Sequence, residues 1–215
     1  MKKGLVLTSL LLSAGPATAS DLIITGIMDG PLSGGTPKAI ELYARNPIAD
    51  LSIYGFGSAN NGGGSDGEEF ALPEGEAAAG DFLYIASEAA NFSTVFGFAP
   101  TFTTTSANVN GDDAVELFRN GVVVDVFGEI DVDGNSQPWE YLDSWAYRQT
   151  GPAGGAFAID QWGFGGVNAL SGLDAAATAA AVPFGTFAVA PVPVPGALWL
   201  LGSAVLGLVA LRRRA

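Results

Sequence analysis

The sequence predicts an all-β protein whose body is a single β-sandwich. Short runs of β-forming residues recur between Gly, Asp, Asn and Pro, with little sustained 3.6-residue periodicity. Two of these runs are joined by Asn120-Gly121, a dipeptide typical of a two-residue hairpin turn. The chain has 215 residues, of which 48% are hydrophobic. This is enough for one domain with a core of its own.

Seven strands are predicted in chain order, at residues 22–28, 39–45, 53–56, 68–72, 82–86, 114–118 and 122–127. One short helix is predicted in SEAANFSTVFG, where Ser87 is a good N-cap, the apolar residues share a face and Gly97 can end the helix. Residues 60–67 are predicted to be loop. Residues 175–181 are expected to be a short helical or linker segment before a proline-rich stretch.

The charge of the chain is strongly asymmetric. It has 22 Asp and Glu against nine Lys and Arg, and five of the nine cations lie at the two ends. The body keeps four cations, which are Lys38, Arg45, Arg119 and Arg148. Such a body repels phosphate backbones, so no nucleic-acid partner is expected.

The chain contains neither cysteine nor histidine. Disulfides, structural zinc sites of the Cys or His type, thiol nucleophiles and imidazole bases are therefore excluded. Any catalysis would depend on carboxylates, and no pair of acids is singled out as a glycosidase pair. We expect no enzymatic activity and no catalytic residue.

Residues 1–19 are predicted to be a secretory signal peptide. Lys2 and Lys3 form a positive n-region, LVLTSLLL an apolar h-region, and Ala17-Thr18-Ala19 a cleavage site. The mature chain is therefore expected to begin at Ser20, outside the cytoplasm.

The C-terminal end reads VPVPGALWLLGSAVLGLVALRRRA. Residues 197–211 carry no charge, and as a helix they would be roughly 22 Å long, against a hydrocarbon thickness of about 30 Å. We predict a short transmembrane helix with the basic tail 212–215 in the cytoplasm. A permanent anchor and a segment removed by processing both agree with this pattern.

The same residues resemble the PEP-CTERM sorting signals of bacteria. Val192-Pro193-Val194-Pro195 corresponds to the motif, with Val194 where the family usually has Glu, and Arg212, Arg213 and Arg214 correspond to the terminal arginine cluster. The resemblance implies cutting at residues 189–196 by an exosortase, a membrane protease, and release towards the cell exterior. Before processing, the chain would be anchored in the inner membrane.

The body, residues 20–188, resembles the lamin-tail domains. The resemblance rests on KAIELYARNPIADLSIYGF, FALPEGEAAAGDFLYIAS and GDDAVELFRNGVVVDVFGEI, which occur in that order. It implies an immunoglobulin-like β-sandwich, in agreement with the strand count. Residues 138–148 and 162–172 resemble the extension found in secreted bacterial members.

Asp131, Asp133 and Asn135 follow the alternate spacing of a calcium loop of the EF-hand type. Ser136 replaces the expected Gly, and Leu142 replaces the expected bidentate Glu. Both a solvated acidic turn and a calcium site agree with this stretch. Calcium is the one cofactor that the sequence suggests.

Five aromatic residues near this turn could stack on sugars or pack in the core: Trp139, Tyr141, Trp145, Tyr147 and Trp162.

The sequence as a whole predicts a non-enzymatic exported surface or extracellular-matrix protein. It would be sorted through its C-terminus and act by binding or scaffolding in the envelope or biofilm. The expected partners are an exosortase-type protease and exopolysaccharide or other envelope components. The alternative is a calcium-dependent carbohydrate-binding protein, or a secreted carboxylate-based hydrolase, that uses residues 129–147.

Overall fold

A computed structural model describes residues 20–149 and 154–189, which form a mainly β structure with two short helices. The strands are β1 (Leu22–Met28), β2 (Ala39–Ala44), β3 (Tyr54–Ala59), β4 (Phe70–Ala71), β5 (Phe82–Ala86), β6 (Phe102–Thr103), β7 (Ala114–Arg119), β8 (Val122–Phe127), β9 (Trp145–Arg148) and β10 (Trp162–Phe164). The helices are α1 (Ala89–Phe96) and α2 (Ala175–Ala181). Four short 3-10 turns lie at Leu51–Ile53, Asn60–Gly62, Thr105–Ala107 and Ile159–Gln161.

The strands form two sheets. The larger sheet has the order β10-β9-β1-β2-β5-β6, and the smaller one has the order β4-β3-β7-β8. All neighbouring strands are antiparallel except β5 and β6. This arrangement is consistent with the predicted β-sandwich.

The main core lies between the two sheets. Ile24, Ile40 and Leu42 of the larger sheet belong to the same buried cluster as Phe56 and Leu117 of the smaller sheet. These residues occupy alternate positions, so each strand turns one face inward. The opposite face of the larger sheet is therefore free to pack against a further layer.

That further layer consists of α1, α2 and residues 182–187. On α1, Phe92 is buried in a cluster with Ala39 of β2 and Ala86 of β5. After α2, Val182 is buried in a cluster with Met28 of β1. The larger sheet is thus covered on both faces, and several of its outer side chains, such as those of Ala39, Glu41 and Ala86, are buried as well.

The structure confirms the strands at 22–28, 82–86 and 122–127 to the residue, and the other four predicted strands within three residues at each end. The hairpin is also confirmed, since Asn120 and Gly121 have φ angles of 51° and 73°. Both angles are positive, as the predicted turn requires.

Three details of the fold differ from or add to the prediction. The N-cap of α1 is Glu88, whose carboxylate accepts a hydrogen bond from the Asn91 amide at 2.8 Å, and Ser87 lies one residue earlier. Residues 175–181, expected to be a helical or linker segment, form the helix α2, which Asp174 caps, so the described residues contain two short helices. The short strands β6, β9 and β10 were not predicted, since each has only two to four residues.

Candidate functional site: the C-terminal strap

The outer face of the larger sheet holds a buried carboxylate, Glu41. It lies on β2, where Ile40 and Leu42 point into the main core, so Glu41 points to the opposite face. The residue is 0% exposed, because α1, α2 and the chain after α2 cover this face. Burying a carboxylate without hydrogen-bond partners costs free energy, so Glu41 requires groups that donate hydrogen bonds to it.

The two oxygens of Glu41 bind two different parts of the chain. Oε1 accepts a hydrogen bond from the Thr25 hydroxyl of β1 at 2.6 Å, and Oε2 accepts one from the backbone amide of Gly185 at 2.5 Å. Gly185 belongs to residues 182–189, the last described residues of the chain, which we call the C-terminal strap. Glu41 therefore connects the sheet to this strap.

Tyr147 of β9 provides a second attachment for the strap. The backbone amides of Thr186 and Phe187 both donate to its hydroxyl oxygen, at 3.0 and 2.6 Å. Two consecutive amides sharing one acceptor fix the path of the backbone at this point. Each such bond contributes about 1 kcal/mol.

Aromatic packing adds a third attachment. The ring of Phe184 stacks on Phe96 of α1, with centroids 5.5 Å apart and an interplanar angle of 13°. Gly26 of β1 leaves room for this ring, since a Cβ atom there would lie 2.5 Å from it. The ring of Phe187 meets Tyr43 edge-on at 5.1 Å. The strap is thus fixed to the sheet by both polar and apolar contacts.

Burial raises the pKa of Glu41 to about 7, against its ordinary value of 4.5. Hydrogen bonds from Thr25, the Gly185 amide, Tyr147 and Tyr84 oppose this effect of burial. Burial, together with the charge of Glu41, also raises the pKa of Tyr147, to about 12. Near neutral pH the tyrosines are therefore protonated, while Glu41 titrates.

The titration of Glu41 is expected to lower the free energy of unfolding as the pH rises from about 4.5 to about 7. In this window the folded chain binds the proton more tightly than the unfolded chain, so raising the pH favours unfolding. Each pKa unit corresponds to about 1.4 kcal/mol, which gives a total on the order of 3 kcal/mol. Urea unfolding of the wild type and of Glu41→Gln, measured across this window, tests the expectation.

Glu41→Gln serves as the reference for the pH dependence of stability, because the other buried acids titrate in both the wild type and the variant. Burial also raises the pKa of Asp29, Asp113 and Asp125. These groups cancel in the difference between the two proteins, so the pH-dependent part of the difference reports Glu41. Parallel pH profiles for the two proteins would show that Glu41 does not titrate in this window.

The structure places Asp131, Asp133 and Asn135 on an exposed turn after β8. The Asn135 amide donates to Asp133 Oδ1 at 2.9 Å, and the Ser136 amide donates to Glu140 Oε2 at 2.7 Å. Among the described residues, no three acidic side chains are grouped so that they could hold a metal ion. The calcium site stays a prediction.

The aromatic residues near this turn pack in the protein. Trp139, Tyr141 and Trp162 are buried in the main core, and the ring of Phe127 meets all three edge-on. Tyr147 is buried beneath the strap, and Trp145 is partly buried beside Met28. These rings do not form an exposed platform on which a sugar could stack.

Sequence reasoning missed Glu41 and the strap. An acidic residue in an alternating strand usually points to solvent, so the acid in AIELYA was not predicted to be buried. The available signal was that both neighbours on its face, Ala39 and Tyr43, are not charged. A face with one acid among apolar residues is typical of a covered face.

The signal peptide, the predicted transmembrane helix and the sorting residues Val192, Pro193, Val194, Pro195, Arg212, Arg213 and Arg214 lie outside the described residues. Within residues 20–149 and 154–189, neither helix is long and apolar enough to cross a bilayer. Val189, the last residue of the strap, is three residues before Val192 in the sequence.

Comparison with known proteins identifies this terminal segment. A family model described as the PEP-CTERM protein-sorting motif matches residues 191–214. It covers the residues on which the resemblance rests, and a motif of this kind implies export, membrane anchoring through the C-terminus and processing by an exosortase. No curated protein and no solved structure matches the chain. The lamin-tail resemblance of the body therefore stays a prediction.

Proposed function

We propose that this chain is a non-enzymatic surface or extracellular-matrix protein that an exosortase-type protease releases from the inner membrane. Its lamin-tail-like body would act by binding or scaffolding in the envelope or biofilm. The observation that carries the proposal is the PEP-CTERM motif at residues 191–214, which begins two residues after a strap fixed to the body.

The short distance along the chain between the strap and the predicted membrane helix supports this proposal. Seven residues, 190–196, lie between Val189 and Ala197, where the predicted membrane helix begins, so eight Cα-to-Cα steps join the two. Even fully extended, they span at most about 29 Å. Before processing, the body would be held close to the outer face of the membrane, with the motif between the two. After processing, the strap would stay attached to the sheet, because all of its described contacts precede the motif.

The charges of the body support a partner that is not a phosphate polymer. Lys38 and Arg148 are buried and paired with Asp29 and Asp125, at 2.7 and 2.8 Å. Arg119 lies 3.5 Å from Asp21, and Arg45 donates to the Ser20 carbonyl. All four cations of the body thus have internal partners, whereas many of the 22 carboxylates are exposed.

The absence of cysteine and histidine from the sequence supports a role without catalysis. The alternative function, a carboxylate-based hydrolase or a calcium-dependent sugar binder at residues 129–147, would use the carboxylates and the aromatic rings of that stretch. Trp139 and Tyr141 are core residues, so they do not favour it.

Mass spectrometry of the protein secreted by its native host tests the proposal. The released chain is expected to begin at Ser20 and to end between the strap and residue 196, with the apolar segment removed. The membrane fraction should contain the longer precursor. A released chain that still carries Arg212–Arg214 would contradict processing, and a chain found only in the cytosol would contradict export.

A further inference from the structure

A polar cleft of about 360 Å³ opens at one end of the sandwich, away from the strap. Four segments form it: the end of β3, the turn Asn60–Gly62, the residue before β4 and the turn Thr105–Ala107 with the loop after it. Its walls include Ser58, Asn60, Asn61, Glu69, Thr105 and Asn108. The volume falls within the range of small-molecule sites.

The walls of the cleft are held from behind by Asp113. This residue is buried, and its two carboxylate oxygens accept hydrogen bonds from the backbone amides of Asn61 and Asn110, at 3.0 and 2.7 Å. The Tyr141 hydroxyl donates to its carbonyl at 3.0 Å. The turn that carries Asn60 and the loop that carries Asn108 are therefore tied to one buried group. A cleft with such fixed walls requires little ordering on binding.

The side chains that line the cleft are amides and hydroxyls. Asn60, Asn61 and Asn108 are exposed, and we find no hydrogen bond from their side chains to another described residue. Each amide offers two N–H donors and an oxygen whose two lone pairs can each accept a hydrogen bond. The cleft therefore presents donors and acceptors in similar numbers, and its surface is far from apolar.

The charges around the cleft decide which ligand it suits. Its one carboxylate is Glu69, whose Oε2 is engaged by the amide and hydroxyl of Ser58, at 2.9 and 3.0 Å. The nearest cation is Lys38, which is buried and already bound by Asp29, the Val109 carbonyl and Asn110. Among the described residues, no cation is left at the cleft to attract an anion, and one carboxylate is a poor set of ligands for calcium.

A ligand that satisfies many neutral donors and acceptors at once must carry many hydroxyl groups. We propose that this cleft binds a neutral oligosaccharide, with the amides of Asn60 and Asn108 and the carboxylate of Glu69 bonding to sugar hydroxyls. The biological setting of this inference rests on the proposed function, since export would bring the cleft into contact with glycans.

The test measures the binding of neutral hexasaccharides of glucose, mannose, galactose and N-acetylglucosamine to the full chain by saturation-transfer NMR. The chain is solubilised in an amine-oxide detergent, because glucoside and maltoside detergents would compete. Binding with a Kd of about 1 mM or tighter is expected for at least one neutral sugar. The variant Asn60→Ala/Asn108→Ala should bind at least about tenfold more weakly, since the loss of 1.4 kcal/mol corresponds to that factor.

The matched control is Asn46→Ala. Asn46 is exposed and bonds to Asp21, which contacts Arg119 at the opposite end of β7 from the cleft. This variant should bind as the wild type does. Three outcomes would overturn the proposal. The first is that no neutral sugar binds at about 10 mM, and the second is that both variants lose the same amount of affinity. The third is that the chain binds only an anionic sugar, tested with an alginate hexamer, or binds sugar only when calcium is added. The binding assay uses purified chain, so a negative result would not bear on whether the protein is exported and processed. Equally, a negative result from mass spectrometry of the secreted protein would not bear on whether the cleft binds a sugar.

Discussion

Replacing Asp125 with asparagine is expected to lower the free energy of unfolding by about 3–5 kcal/mol, because it leaves a buried guanidinium without its counter-charge. Asp125 of β8 and Arg148 of β9 join the two sheets, with Nη2 at 2.8 and 2.9 Å from the two carboxylate oxygens. Their side chains are 1% and 3% exposed. Urea unfolding monitored by tryptophan fluorescence measures the loss.

The ion pair is also connected to the backbone of β1, which adds to the expected effect. Arg148 Nε donates to the Ile24 carbonyl and Asp125 Oδ2 accepts from the Ile24 amide, both at 2.8 Å. Burial raises the pKa of Asp125 to about 6 and lowers the pKa of Arg148, so burial opposes the charged form of each group, while the charge and hydrogen bonds of the partner favour it. Asparagine keeps the shape of the side chain, and the measured loss therefore reports the missing charge.

Two further variants separate this effect from a general effect of removing an acid. Asp21→Asn breaks the half-exposed pair with Arg119 at 3.5 Å and should cost less than about 1 kcal/mol. Asp125→Leu/Arg148→Met removes both charges and should recover part of the stability, since apolar pairs often replace buried ion pairs without loss, while the Ile24 amide and carbonyl lose their partners. An Asp125→Asn protein within about 1 kcal/mol of the wild type would contradict this account.

The sequence predicts the strands well where local chemistry determines them. The run of β-forming residues in LIITGIM and the Asn120-Gly121 turn depend only on neighbours along the chain, and both predictions are confirmed. Strands β9 and β10 are different. They have four and three residues, and they exist because they pair with the edge of the sheet beside β1. The pairing of β9 with β1 joins residues more than a hundred positions apart, and β10 in turn pairs with β9, so local patterns do not predict either strand.

The buried polar groups could not be predicted for a similar reason. In VVVDVF an acid interrupts an apolar strand, and the sequence does not indicate which of the four body cations is its partner. Glu41 has the same difficulty, since its partner is the backbone amide of Gly185, 144 residues later. The covering layer of α1, α2 and the strap makes Glu41 internal, whereas Asp125 is internal because it lies between the two sheets, where it binds Arg148 of β9. The packing of that layer follows from the tertiary fold.

Replacing Pro193 and Pro195 together with alanine is expected to lower the amount of released protein more than about tenfold, since each 1.4 kcal/mol of lost transition-state binding slows cleavage tenfold. Both prolines lie in the segment that matches the sorting motif. Proline favours an extended backbone and disfavours helix, whereas alanine favours helix, so the substitution is expected to weaken recognition of the motif by the protease. The uncut precursor should accumulate in the membrane fraction. Immunoblots and mass spectrometry of the two fractions measure both quantities.

The matched control is Pro73→Ala, at an exposed proline of the body, which should be released as the wild type is. Replacing Arg212, Arg213 and Arg214 with glutamine gives an independent comparison. Without the positive cluster, the orientation of the apolar segment in the membrane loses its main determinant, so release should fall although the motif itself is intact. If the proline variant were cut at the same residue and as completely as the wild type, the body and its strap would be sufficient for processing, and the motif would have to act in some other way.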